Sequence, residues 1–288
     1  MTAPKHALRA RTTRLVALAA AAAAALIGGA AGPATAAPKA PASYVALGDS
    51  YASGFGAGSY VNACGQTPLG LPGIIDSKKQ VDLVADATCA GAKVATEASG
   101  AIDLPEQVTQ VVAAGALSRE TDLVTISAGG NDAGFAEIAA VCSASPTEVC
   151  AQAITRKNAT ALPVLDRNLD ALYDSIESAA PNATVVVMGY PHLFSPEFGT
   201  PVIPVASQTV FNAGTDSLNS VIREQADAHG FTFVDLVQKF EGHGLGSPSP
   251  WITFRAGAPD NLHPTAEGYK SGYFPAVRSA VNFAQLQR

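Results

Sequence analysis

The chain alternates between short unbroken apolar runs and longer stretches with an apolar residue every third or fourth position. Tyr44-Val45-Ala46-Leu47, Thr121 to Ser127 and Thr184 to Met188 are of the first kind, rich in strand-forming residues, and predict buried strands. Shorter strands are expected near Val81-Asp82-Leu83 and over Phe231 to Leu236. Helices are expected over Gln107 to Leu117, Leu162 to Ala180, Ala206 to Gly230 and Thr265 to Phe283. In the second, Leu162, Leu165, Leu169, Leu172 and Ile176 mark one face, and Pro181-Asn182 stops it; Gly230 ends the third. Stretches 56–79, 195–204 and 242–259 carry Gly and Pro and read as loops. Apolar strands alternating with helices predict an α/β fold with a parallel sheet covered on both faces.

The first 36 residues stand apart. Lys5, Arg9, Arg11 and Arg14 precede an uncharged Ala/Leu run from Leu15 to Ile27, and Ala34-Thr35-Ala36 supplies small residues for cleavage. This is the layout of a secretory signal peptide; the apolar run is too short to span a bilayer. The absence of a twin-arginine pair favours general secretion. Residues 37–288 are then expected to form a single domain with a full core. Losing four cations and no carboxylate takes the formal charge from −6 to −10. Such an acidic chain argues against nucleic acid and against an electrostatic grip on anionic membranes. No later run is long enough for stable membrane insertion.

An exported chain meets an oxidising environment, so the four cysteines predict two disulfides rather than a metal site. Of three connectivities, Cys64–Cys89 and Cys142–Cys150 are favoured because both are local. A zinc site would want a Cys-x-x-Cys pair or a nearby histidine, and neither occurs.

Candidate chemistry collects at strand ends. The first strand breaks at Gly48-Asp49-Ser50, presenting a hydroxyl where α/β sheets place reactive groups. The Thr121–Ser127 strand runs into Gly129-Gly130-Asn131-Asp132, and Asp260-Asn261-Leu262-His263-Pro264 leads into the last helix. A serine hydroxyl needs a base, imidazole is the usual one, and the imidazole needs an acceptor on its other nitrogen. Ser50, His263 and Asp260 are the expected nucleophile, base and orienting acid. Donors for a developing oxyanion are expected from the Ser50 N–H, the Gly91 N–H in Cys89-Ala90-Gly91-Ala92 and the Asn131 amide. Asp49 reads as a turn or cap residue. Tyr51, Phe55, Trp251 and Phe254 are candidate pocket aromatics, and His229 before Gly230 reads as a helix-end cation.

These blocks, in this order, resemble the SGNH (GDSL) hydrolases, and within them the secreted actinobacterial esterases, lipases and phospholipases. The resemblance covers the mature chain from end to end. It implies a three-layer α/β/α, flavodoxin-like domain that hydrolyses carboxylic esters without cofactor or metal, with Ser50, Gly91, Asn131 and His263 in the family's four roles. Two departures stand out. There is no cysteine after Cys150 for the third disulfide that members of this branch often carry, and in some members a backbone carbonyl replaces the acid. The expected partner is a small-molecule or lipid ester, acted on by a monomer. A phospholipase A, a polysaccharide O-acetylesterase and an inactive secreted binding module are the alternatives. A Gly-x-Ser-x-Gly elbow occurs nowhere, which disfavours the unrelated α/β-hydrolase fold.

Overall fold

Five parallel strands, β1 (Ala42–Gly48), β2 (Val81–Asp86), β3 (Leu123–Ser127), β4 (Thr184–Met188) and β5 (Thr232–Val234), form one sheet in the order β2-β1-β3-β4-β5. The computed structural model describes residues 39–97 and 100–287. The expected leader, residues 1–36, lies outside the described residues. Every residue of β3 is buried, as a strand covered on both faces requires. Register aligns Gly48 with Ser127 and Leu123 with Thr184.

Three helices, α3 (Leu104–Ala113), α5 (Thr147–Ala179) and α6 (Val205–Ala228), pack together on one face of the sheet, with α4 (Phe135–Ala144) against α5 and α6. The other face carries α2 (Leu71–Asp76) and α7 (Phe274–Ala280), and the short α1 (Ser50–Ser53) follows β1 directly. The result is an α/β/α sandwich. From β1 the chain crosses to β2 on one side, then returns past β1 to β3 on the other. The carboxyl ends of β1 and β3 therefore border the crevice where such sheets bind ligands.

Both expected disulfides are present, Cys64–Cys89 and Cys142–Cys150, with Cα–Cα distances of 4.2 and 4.6 Å. The second joins α4 to the first turn of α5. Among the described residues no helix is long and apolar enough to cross a membrane.

The structure departs from expectation at several helices. α5 begins at Thr147 rather than Leu162: Cys150, Ala153 and Ile154 extend the buried stripe, but the polar run from Thr155 to Thr160 interrupts the period. α4 was not expected, because it is apolar nearly all round and its moment is weak. α2 lies within the expected 56–79 loop, started by Pro72. The final helix is broken. It opens with a wide i→i+5 turn over Gly268–Tyr273, runs as α7, and resumes after Val281-Asn282 as α8 (Phe283–Leu286), capped by the Asn282 side chain on the Ala284 N–H.

Three buried amide side chains tie backbone outside the helices to α3 and α6, two of them at strand exits. Gln107 accepts from the Gly48 N–H and donates to its carbonyl, both at 2.9 Å. Asn219 does the same for Tyr190 at 2.8 Å, and Asn212 for Phe194 at 3.4 and 2.9 Å. Each supplies a partner to both the N–H and the carbonyl of one buried residue, so those backbone groups are not left unpaired.

Candidate active site

At the end of β1, Gly48 has φ +130°, and a Cβ there would clash with the Ser127 carbonyl oxygen. Only glycine lets β1 and β3 finish so close together. Asp49 then caps α1 by accepting the Tyr51 N–H at 2.9 Å. Its other oxygen accepts the Tyr190 hydroxyl at 2.5 Å, and that hydroxyl accepts the Gly130 N–H at 2.9 Å. Tyr190 thereby couples the turn after β1 to the turn after β3. Burial pushes the Asp49 carboxyl up to about 7, against hydrogen bonds from Tyr190 and from the backbone of Tyr51 and Ala52.

Ser50, the first residue of α1, is buried, and its Oγ lies 2.7 Å from His263 Nε2. His263 Nδ1 lies 2.8 Å from the Asn261 carbonyl oxygen. A carbonyl only accepts, so Nδ1 carries the proton and Nε2 is left to accept the serine hydroxyl. Leu262, between them, has φ +65°, an uncommon conformation for a residue with a side chain, and its carbonyl accepts the Tyr51 hydroxyl. The Tyr51 and Phe55 rings pack on the imidazole at 4.9 and 5.1 Å. Burial lowers the His263 pKa, opposed by the backbone of Asn261 and Asp260 and by the Asp260 charge.

The expected acid is engaged elsewhere. The Asp260 carboxylate accepts two bonds from Arg255 Nη2, at 2.6 and 2.7 Å, and a third from the Tyr60 hydroxyl, which in turn accepts the Gly56 N–H. The orienting acceptor at Nδ1 is thus the Asn261 carbonyl, not the Asp260 side chain. Burial works to raise the Asp260 pKa, but the Tyr60 and Arg255 bonds prevail and hold it below the usual carboxylate range.

Gly91 and Asn131 face the same cleft as Ser50 and His263, a space of about 190 Å³. Gly91 takes φ +86°, which favours glycine although a Cβ would meet only Ala101 at 3.6 Å. Asn131 donates one amide hydrogen to the Ala92 carbonyl at 2.9 Å, leaving its second for the cleft. The Gly91 segment is held by Cys64–Cys89, by Asp132 accepting the Val94 N–H, and by Asp103 accepting the Lys93 and Glu97 N–H groups at 2.8 and 2.7 Å.

Of the four candidate aromatics, Tyr51 and Phe55 line the cleft; Phe135 and Tyr190, not singled out from the sequence, join them. Trp251 is instead stacked on His243 at 3.6 Å and edge-on to Phe240, and Phe254 projects to solvent. His229 caps the end of α6 and bonds Asp170 at 3.1 Å. With Asp174 and Glu177 it forms the one metal-capable group found among the described residues, at the carboxyl ends of α5 and α6 and away from the cleft.

A match to the GDSL-like Lipase/Acylhydrolase family spans residues 46–271, most of the chain. The chain belongs to this family. It is 38% identical over 260 residues to Lipase 1 of Streptomyces coelicolor, covering 87% of this chain and 92% of that one. Among solved structures it is similar to an extracellular lipase from Streptomyces rimosus, with 34% identity, TM-score 0.72 and coverage of 83% and 100%. It is similar as well to phospholipase A1 from Streptomyces albidoflavus NA297, with 34% identity, TM-score 0.71 and coverage of 84% and 100%. This member of the GDSL-like family is a carboxylic ester hydrolase of the lipase and esterase kind.

Proposed function

We propose that the chain is a secreted serine hydrolase that cleaves carboxylic esters through an acyl-enzyme on Ser50. The observation that carries this reading is the 2.7 Å contact between Ser50 Oγ and His263 Nε2, from residues 213 positions apart. Oγ attacks the ester carbonyl carbon as Nε2 takes the hydroxyl proton, giving a tetrahedral oxyanion. The N–H groups of Ser50 and Gly91 and the second Asn131 amide hydrogen stabilise that oxygen. The carbon–oxygen bond to the alcohol breaks, and the alcohol leaves with the proton held on Nε2. Water, deprotonated by the same nitrogen, then adds to the acyl-enzyme and releases the carboxylic acid, restoring Ser50. The Asn261 carbonyl keeps the imidazole in the productive tautomer throughout.

Secretion is supported by the basic, apolar and small-residue layout of residues 1–36 and by the two disulfides. Nucleophile, base and oxyanion donors all come from one copy of the chain, so this reading requires no second copy. A phospholipase A is the second reading, favoured by the likeness to the Streptomyces albidoflavus enzyme. The test is labelling by a serine-reactive phosphonate, with turnover of aryl esters from acetyl to palmitoyl and of one phospholipid. Ser50→Ala should abolish both labelling and turnover while the protein stays folded. Wild-type protein that neither labels nor turns over any of these esters would refute the mechanism.

A further inference from the structure

Phe135 separates two hollows. On one side it faces the cleft that holds Ser50; on the other it lines a small apolar hollow of about 20 Å³ with Ile138, Ile154, Phe211 and Leu218. The aromatic rings around the site form a continuous chain of contacts. Phe55 and Tyr51 flank His263, Tyr51 meets Tyr190 at 5.0 Å, Tyr190 stacks on Phe135 at 6.5 Å, and Phe135 meets Phe211 edge-on at 4.8 Å. In the cleft wall the imidazole and Phe135 are thus separated by Tyr51 and Tyr190.

That order gives the two halves of an ester different places. The leaving alcohol must lie within hydrogen-bond reach of the His263 Nε2 that protonates it, so it occupies the imidazole end. The carbonyl oxygen is claimed by the donors at Gly91 and Asn131. What remains for the acyl chain is the end lined by Ala136, Tyr190 and Phe135.

We infer that Phe135 is the end wall of the acyl site and sets the length of acyl chain the enzyme accepts. This rests on Ser50 being the nucleophile. The wall is firmly seated: Phe135 is the first residue of α4, and its N–H donates to the Gly130 carbonyl at 3.1 Å, in the turn that carries Asn131. Behind it the hollow has room for little more than one water. Removing the ring joins that hollow to the cleft and opens an apolar channel towards Ile138 and Ile154, between α4, α5 and α6. A larger ring shortens the site instead.

The experiment compares kcat/KM for wild type, Phe135→Ala and Phe135→Trp. Two series are used: p-nitrophenyl esters from acetyl to palmitoyl, and butyrate esters of alcohols of increasing length. The ratio of decanoyl to butyryl activity should rise roughly tenfold or more in Phe135→Ala, the scale of adding apolar contacts in a pocket, and fall in Phe135→Trp. The alcohol-series ratios should stay at the wild-type values. Acyl ratios that do not move, or alcohol ratios that move in their place, overturn the assignment. If the alanine variant does not fold, the opposite-signed shift in the tryptophan variant decides alone. Phosphonate labelling separates the two levels of the argument: labelled enzymes with unmoved ratios refute the role of Phe135 only, and failure of wild type to label refutes the nucleophile.

Discussion

His263 Nδ1 lies 2.8 Å from the carbonyl oxygen of Asn261, two residues earlier in the same turn. A backbone carbonyl does for the ring what a carboxylate does in a Ser-His-Asp triad: it accepts the Nδ1 proton and fixes the tautomer. Asp260 is left to brace the 255–263 loop internally through Arg255 and to tie it to the 56–60 segment through Tyr60. Asp260→Asn should therefore lower kcat by less than about tenfold, against about 10⁴-fold for a carboxylate that orients a triad histidine directly. Steady-state kinetics on a short aryl ester decide it. A loss near the larger figure would restore Asp260 as the orienting acid.

The imidazole acts as base only when neutral. Burial lowers its pKa, and the backbone of Asn261 and Asp260 with the Asp260 charge offset only part of that. The kcat/KM for a short ester should rise with pH, with a midpoint below the ordinary histidine value, and be level by neutral pH. Asp260→Asn removes a charge that favours imidazolium, so its midpoint should move lower still. A midpoint above the ordinary histidine value, or one that climbs in Asp260→Asn, would contradict this electrostatic account.

Asn131 offers the cleft one amide hydrogen while the other is tied to Ala92. Asn131→Ala should cost about 10²- to 10³-fold in kcat with little change in KM, because the bond strengthens as charge develops on oxygen. The melting temperature, measured alongside, should change little, since only one side-chain bond is lost. A kcat within about threefold of wild type would remove Asn131 from the oxyanion site.

What was readable in the chain is what depends on neighbours in sequence. The strands declared themselves as apolar runs, and Ser50, Asn131 and His263 stand out because each sits in a short block at a strand or helix boundary. Both disulfides are local. Tyr190 is different: it meets Asp49 across 141 positions, and nothing near it in sequence marks a tyrosine as a tie between turns. Gln107 and Asn219 likewise look like polar interruptions of helical faces until the strand exits they hold are seen. Asp260 shows the converse. Its spacing from His263 is right for a triad, but Arg255 and Tyr60 compete for its oxygens, and that competition is settled only in three dimensions.

Asp49 makes stability depend on pH in a direction opposite to that of most carboxylates. Its ordinary value, 3.8, applies to the unfolded chain, and burial raises it to about 7 in the folded one. Between those values the native protein holds a proton that the unfolded chain has released, so stability falls as pH rises through the window. The contribution is complete below the unfolded value and gone once pH passes the folded one. Burial raises Asp86 to about 6 and raises Asp132 as well, so the whole-protein curve mixes several groups. Asp49→Asn isolates one of them, because asparagine does not titrate and can still accept the Tyr51 N–H as a helix cap. The melting temperature of wild type minus that of Asp49→Asn should be largest near pH 4 and shrink steadily to a plateau above about pH 7. Paired thermal melts across that range provide the check. A difference that stays constant would mean Asp49 does not carry the proton, and one that grows with pH would mean its folded-state pKa is depressed rather than raised.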